Sequence, residues 1–311
     1  MGDRDAVARL PLPSSPRIHR RLPEARSPVR RYQAIAARAR RQVTRVLSGA
    51  ALLAFAIAVV WFAPPILFLA VAELLLVGAF VELAQLAAAS GLGVPRVAAG
   101  TAAALTSLGL TSAPWLGDIA RAIPALDAAI MTAFVALASL TLMQWRGGPD
   151  ALGLAAASVF PSLYLGLPIG AMVSIRESRG GAALFLLMLT IVASDIAQYY
   201  AGRAAGRRRL APAISPKKTI EGAAGGFVFG ALTMTVAGGW WLPNVAVPFR
   251  ALLGVAVVAL GIAGDLFESM LKRSAGVKDS SSLIPGHGGI LDRIDALLFA
   301  APVYYIVLKY V

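Results

Sequence analysis

Apolar runs as long as a bilayer is thick constrain this chain more than any other feature. A hydrocarbon core of about 30 Å takes about 20 apolar residues in a helix. Runs of roughly that size lie near 47–63, 66–88, 96–113, 125–143, 151–174, 182–201, 221–240, 247–267 and 294–310. Lipid offers backbone N–H and C=O groups no partner, so such runs are helical. The expected fold is all-α: a polytopic integral membrane protein with about nine transmembrane helices. Composition agrees, since 58% of the 311 residues are hydrophobic, against about 45–50% in soluble domains. Pro64 and Pro65 should turn the first run tightly into the second.

Residues 1–45 differ from the rest. They hold 12 of the 29 Lys and Arg residues, are rich in Pro and lack an apolar core, the composition of a disordered tail. No cleavage-site pattern follows the first apolar run, and Asp3, Asp5 and Glu24 speak against an organelle transit peptide. The expectation is a basic cytoplasmic tail lying against anionic lipid, with Arg38, Arg40, Arg41 and Arg45 on a short helix, followed by one membrane domain over 46–311. With the tail inside, Arg96, Arg146, six cations in 202–220 and four in 268–293 fall on the cytoplasmic side, as the positive-inside rule requires. The loops 202–220 and 268–293 are two spans apart, so they share one face and can build one polar cavity there.

Against this apolar background the stretch from Asp265 to Asp295 gathers Asp265, Glu268, Lys272, Arg273, Lys278, Asp279, His287, Asp292, Arg293 and Asp295. Ionisable residues beside a bilayer are costly and commonly functional. Asp265, Ser269 and Lys272 or Arg273 recur at helical spacing on one face, although Glu268 with Lys272 also reads as a surface ion pair. In the run from Pro285 to Gly289, Gly286, Gly288 and Gly289 would let backbone N–H groups approach a phosphate. Asp292 and Asp295 could cap the helix that follows; with Asp265 they also offer oxygen ligands suited to Mg²⁺. Upstream, Ser215 and Pro216 read as a helix start, placing Lys217 and Lys218 at a helix N-terminus where a bound polyanion would explain them. Arg207, Arg208 and Arg209 read simply as a solvated basic loop. There is no Cys and no Ser-His-Asp set, and His19 and His287 are the only histidines. Carboxylates, cations and glycine loops without a nucleophile make an inventory for phosphoryl or nucleotidyl transfer.

Ser269, Lys272, Arg273, Lys278 and Asp279, followed by Ile284 through Asp295 (IPGHGGILDRID), resemble the signature of the phosphatidate cytidylyltransferases, or CDP-diacylglycerol synthases. Ser215 to Gly222 (SPKKTIEG) and Asp195 with Tyr199 and Gly202 match that family in order and approximate spacing, so the resemblance covers about 190–295. The chain has Asp-Ile-Ala-Gln-Tyr at 195–199 where many relatives have Asp-Thr-Gly-Ala-Tyr. The resemblance implies that CTP and phosphatidate give CDP-diacylglycerol and pyrophosphate, with Mg²⁺ and a second cation, K⁺. It also implies a homodimer in a bacterial inner membrane with its site cytoplasmic. The expected partners are CTP, phosphatidate, membrane lipid and a second copy, with no nucleic acid. It further implies Asp265, Asp292 and Asp295 as metal ligands with Asp195 as a further one. Lys217, Lys218, Lys272, Arg273 and Arg293 would hold phosphates, and Ser215, Ser269, Lys278, Asp279, His287, Gly288 and Gly289 would make further contacts. The alternatives are a CTP-dependent polyprenol or phytol kinase and, from another class, a transporter; a transporter should spread its charges near the bilayer midplane on paired repeats, whereas here they crowd the span ends.

Overall fold

A computed structural model describes residues 47–111, 117, 122–147, 150–281, 283 and 288–311. The basic tail lies outside these residues. The apolar runs form α1 (Leu47–Phe62), α2 (Pro65–Ala89), α3 (Arg96–Leu110) and α4 (Leu126–Gln144). Next, α5 (Ala151–Pro161) continues through a π-helical turn, Ser162–Gly166, into α6 (Leu167–Arg179). Then come α7 (Gly181–Ala205), α8 (Ile220–Trp241), α9 (Val247–Ser274) and α10 (Leu291–Tyr310). Among the described residues six helical rods are long and apolar enough to cross a bilayer: α2, α4, α5 with α6, α7, α8 and α9. Their outward faces carry large apolar side chains such as Leu74, Met131, Leu142 and Trp240, each more than two-thirds exposed. Water would not tolerate such a surface over a whole molecule.

Proline sets the first reversal as expected: α1 ends at Phe62, and α2 opens at Pro65 with Pro64 extended before it. Arg176 of α6 closes this turn. Its guanidinium donates to the carbonyls of Val60, at 3.0 Å, and Ala63, and lies over the Phe68 ring, so the last carbonyls of α1 find a partner.

Helices approach closely where side chains are missing. Gly222, Gly226 and Gly230 recur every fourth residue along α8: at the first two an added methyl would come within 2.8 Å of the Gln198 carbonyl or 2.6 Å of its side chain on α7, and at the third it would meet Val258 of α9 and Ser194 of α7. Such small-residue stripes let helix backbones pack without lipid between them. Gly264 of α9 plays the same part against α10.

One segment departs from the all-helical expectation. Arg209–Ala211 (β1) and Ser215–Thr219 (β2) pair antiparallel as a short hairpin, with Ala211 opposite Ser215. Ser215 is therefore no helix cap, and Lys217 and Lys218 lie on a strand rather than at a helix N-terminus. The helix starts later, at Ile220, where the Thr219 hydroxyl accepts the Gly222 N–H at 3.1 Å. The Glu221 carboxylate accepts the N–H groups of Arg207 and Arg208, tying the hairpin to α8. Arg207, Arg208 and Arg209 are exposed, as a solvated loop should be.

Candidate active site

The ends of α7 and α9 and the starts of α8 and α10 meet at one end of the bundle. The Arg273 to Ile214 carbonyl contact joins the two stretches that parity placed together, and the Lys218 to Asp265 ion pair ties the first of them to α9. Between them lies a cavity of about 500 Å³. Helix α7 contributes Asp195, Gln198, Tyr199, Gly202 and Arg203, and β2 contributes Lys217, Lys218 and Thr219. Asp265 comes from α9, and Asp292, Arg293 and Asp295 come from α10.

Lys218 is half-buried and faces this cavity. Burial pushes its ammonium below the usual lysine range, while the Asp195 and Asp295 carboxylates pull it back up. Strand alternation explains the contrast with its neighbour: Lys217 is exposed at the cavity rim.

A buried ionic group adjoins the cavity through Asp292. Lys272 touches both Glu268, one helical turn earlier, and Asp292 of α10. Glu268 is 0% and Lys272 8% exposed, so this pair is buried and not the surface pair that its spacing suggests. Asp292 is further held through Oδ2, which accepts from Ser280 N at 3.1 Å, Ser280 Oγ at 2.9 Å and Gly289 N at 2.8 Å. It reaches backward into the preceding turn. Nor does Asp295 cap α10: Ile290 holds the cap position, and Asp295 Oδ1 accepts the adjacent Ala296 N–H.

The two described glycines of the signature close on these carboxylates. Gly288 has φ +79, and a side chain there would come within 2.5 Å of Asp292 Oδ2. At Gly289 a methyl would collide with the Ser280 hydroxyl and the Glu82 carboxylate. Glycine is needed for backbone shape at the first position and for space at the second.

Of the other residues singled out in the sequence, Arg273 is exposed and binds the carbonyls of Ile214 and Val277, tying the hairpin turn to the end of α9. Ser269 is half-buried on α9 and Ser215 half-buried in β2, neither lining the cavity. Lys278 and Asp279 are exposed after α9. His287 and Gly286 lie outside the described residues. Sequence reasoning missed Glu82 and Ser280, and it weighed Glu268 only as a surface charge. The signal for Glu82 was available: a carboxylate inside an apolar run of membrane length, where Glu73 also lies, is as costly there as beside the signature.

A second, apolar groove of about 470 Å³ runs between α1, α2, α6, α7 and α10. Leu52, Val59, Val71, Met172, Met188 and Leu297 are among its walls, and among the described residues its one charged wall residue is Arg293. Arg293 thus borders both the polar cavity and the apolar groove.

The model of the cytidylyltransferase family matches residues 43–311. The chain belongs to the cytidylyltransferase family. It is 47% identical over 129 residues to the phosphatidate cytidylyltransferase of Haemophilus influenzae, covering 39% of this chain and 44% of that one. It is 52% identical over 125 residues to the phosphatidate cytidylyltransferase of Synechocystis, covering 39% and 42%. To YnbB of Escherichia coli K12, named as uncharacterized, it is 43% identical over 141 residues, covering 45% and 47%. The chain spans about half the length of the curated relatives it matches.

For this cytidylyltransferase family member the donor set can be tested against Mg²⁺. Asp195, Asp265, Asp292 and Asp295 border one cavity, and carboxylate oxygens are what Mg²⁺ takes from protein. Among the described residues no three acidic or His side chains already converge at ligand spacing. The fit is thus one of chemistry and shared cavity. Mg²⁺ asks little more of protein, since it keeps several waters and completes its shell with substrate phosphates.

Proposed function

We propose that this protein transfers CMP from CTP to phosphatidate, giving CDP-diacylglycerol and pyrophosphate. The observation that carries this reading is the position of Arg293, a cation shared by a polar cavity and an apolar groove. A reaction joining a water-soluble triphosphate to a bilayer lipid needs such a junction. The phosphates meet at the cation while acyl chains stay in apolar surroundings. The named relatives support the same chemistry.

In this reaction a phosphate oxygen of the lipid attacks the α-phosphorus of CTP. A new P–O bond forms as the bond to the β-phosphate's bridging oxygen breaks, and pyrophosphate leaves in line. A phosphate monoester is already anionic near neutral pH, so no strong general base is required. The barrier is repulsion between two anions, and positioned cations lower it. Lys217, Lys218, Arg203 and Arg293 surround the cavity and would hold the phosphates. Asp265, Asp292 and Asp295, with Asp195 beside them, would hold Mg²⁺, and K⁺ would be the second cation of the same carboxylates. When bound, Mg²⁺ supplies charge neutralisation and a common template for phosphate oxygens. Lys272 does not line the cavity; its work is to fix Asp292.

The same reading takes α1, α3 and α10 as completing nine membrane crossings. It sets the cavity on the cytoplasmic side of a bacterial inner membrane and takes the working unit as a homodimer. The deciding experiment uses purified protein with phosphatidate, Mg²⁺ and CTP labelled separately at the α- and γ-phosphates. The expected result is α-label in lipid, pyrophosphate released, and both abolished by EDTA. Gamma label in an added polyprenol with none of the α-label in lipid would replace this reading with a kinase. Well-folded protein that transfers neither would return the case to transport.

A further inference from the structure

A buried carboxylate outside the signature is held by four donors, as Asp292 within it is. Glu82 is on α2, only 3% exposed, in a largely apolar helix whose other carboxylate is Glu73. Its Oε1 accepts from Ser281 Oγ at 2.7 Å and Ile290 N at 2.9 Å, and its Oε2 from Ser280 Oγ at 2.8 Å and Leu291 N at 2.9 Å. Two of these four donors are backbone N–H groups at the start of α10, which the helix itself cannot satisfy. No side chain of α10 supplies that cap. A carboxylate is the group a helix N-terminus favours, and here it arrives from another helix.

We propose that Glu82 is a positioning residue for the transfer reaction, acting through Ser280 on Asp292. The Ser280 hydroxyl lies 2.8 Å from Glu82 Oε2 and 2.9 Å from Asp292 Oδ2. Its single hydrogen serves one carboxylate at a time, so Glu82 and Asp292 are linked through one shared donor. Gly289, whose N–H also goes to Asp292, packs without a side chain against Glu82 and Ser280. Glu82 therefore fixes the turn, the turn fixes Asp292, and Asp292 faces the cavity. This rests on the proposed transfer reaction for its catalytic part only; the geometric part stands without it.

The test uses the full chain in lipid nanodiscs, as wild type, Glu82→Gln and Glu82→Ala. Hydrogen exchange at the Ile290 and Leu291 amides needs no substrate. It should rise about tenfold or more in Glu82→Ala, with α7 and α8 unchanged. Loss of a group that orients a ligand or reacting group typically costs about 10- to 100-fold. The turnover number for cytidylyl transfer should fall by about that factor in Glu82→Ala and less in Glu82→Gln, while KM for CTP stays within about threefold. A purely structural anchor would instead loosen the whole bundle and shift KM together with turnover. The isosteric Glu82→Gln guards against a variant that fails to fold. Wild-type exchange at Ile290 and Leu291 in Glu82→Gln and Glu82→Ala, or wild-type turnover in both, overturns the proposal. If the wild type transfers no α-label, the reaction reading fails while the exchange result still decides whether Glu82 holds α10.

Discussion

Lys272 shows how much one side chain carries in this protein. It is the cation for Glu268, which is wholly buried, and for Asp292, which borders the cavity. Removing one partner of a buried ion pair leaves an uncompensated charge and costs about 3–5 kcal/mol. Lys272→Met should accordingly lower thermal stability by several degrees, measured in nanodiscs. Adding Glu268→Gln should restore part of that loss, because the orphaned charge is gone. Additive losses in the double variant would count against the pairing. Asp292→Asn should abolish cytidylyl transfer while leaving the protein inserted, since the amide keeps the shape but not the charge. Retained turnover in the purified variant would refute a metal-ligand role for Asp292.

Among the helices, the site depends on spacing between backbones as much as on charge. Gly264 brings α9 against α10 so closely that a methyl would come within 2.5 Å of the Asp295 carbonyl and 3.3 Å of the Ala296 Cα. Backbone cannot step aside as a flexible side chain can, so α10 would have to move, and overpacking of this kind costs about 1–3 kcal/mol. Gly264→Ala should reduce both melting temperature and transfer. Gly93→Ala, with nothing within 4 Å of the new methyl, should change neither. The β1 and β2 hairpin shows where the sequence reading of an element fails. Ser-Pro before Lys-Lys-Thr is a fair helix start by local rules. Strand pairing of Ser215 with Ala211, and a true cap at Thr219, override that preference. The cap is local, Thr219 and Gly222 being three residues apart, but the pairing needs a partner strand that the Ser-Pro pattern does not include.

For the molecule as a whole, the basic tail and the family-matched segment are separable in sequence, the match beginning at residue 43. Deleting residues 1–40 should leave turnover intact and weaken binding of the tail to anionic vesicles, with a salt dependence that fades in the truncated protein. Loss of turnover in well-inserted truncated protein would make the tail part of the site. The apolar runs alone determined where helices lie, because run length and the demand for internal backbone hydrogen bonds in lipid are local properties. The inventory of charged and glycine-rich stretches gave the class of chemistry, and with the signature it brought Asp195, Asp265, Asp292, Asp295, Lys217, Lys218 and Arg293 under suspicion together. Only the tertiary structure decided that Arg273 and Ser269 stand away from the cavity wall and that Lys272 is buried between two carboxylates. It alone gave the Glu82 cap on α10 and the place of Arg293 between a polar and an apolar space. Those facts depend on how each helix is rotated and which neighbour it meets, and side-chain spacing along one helix carries no record of either.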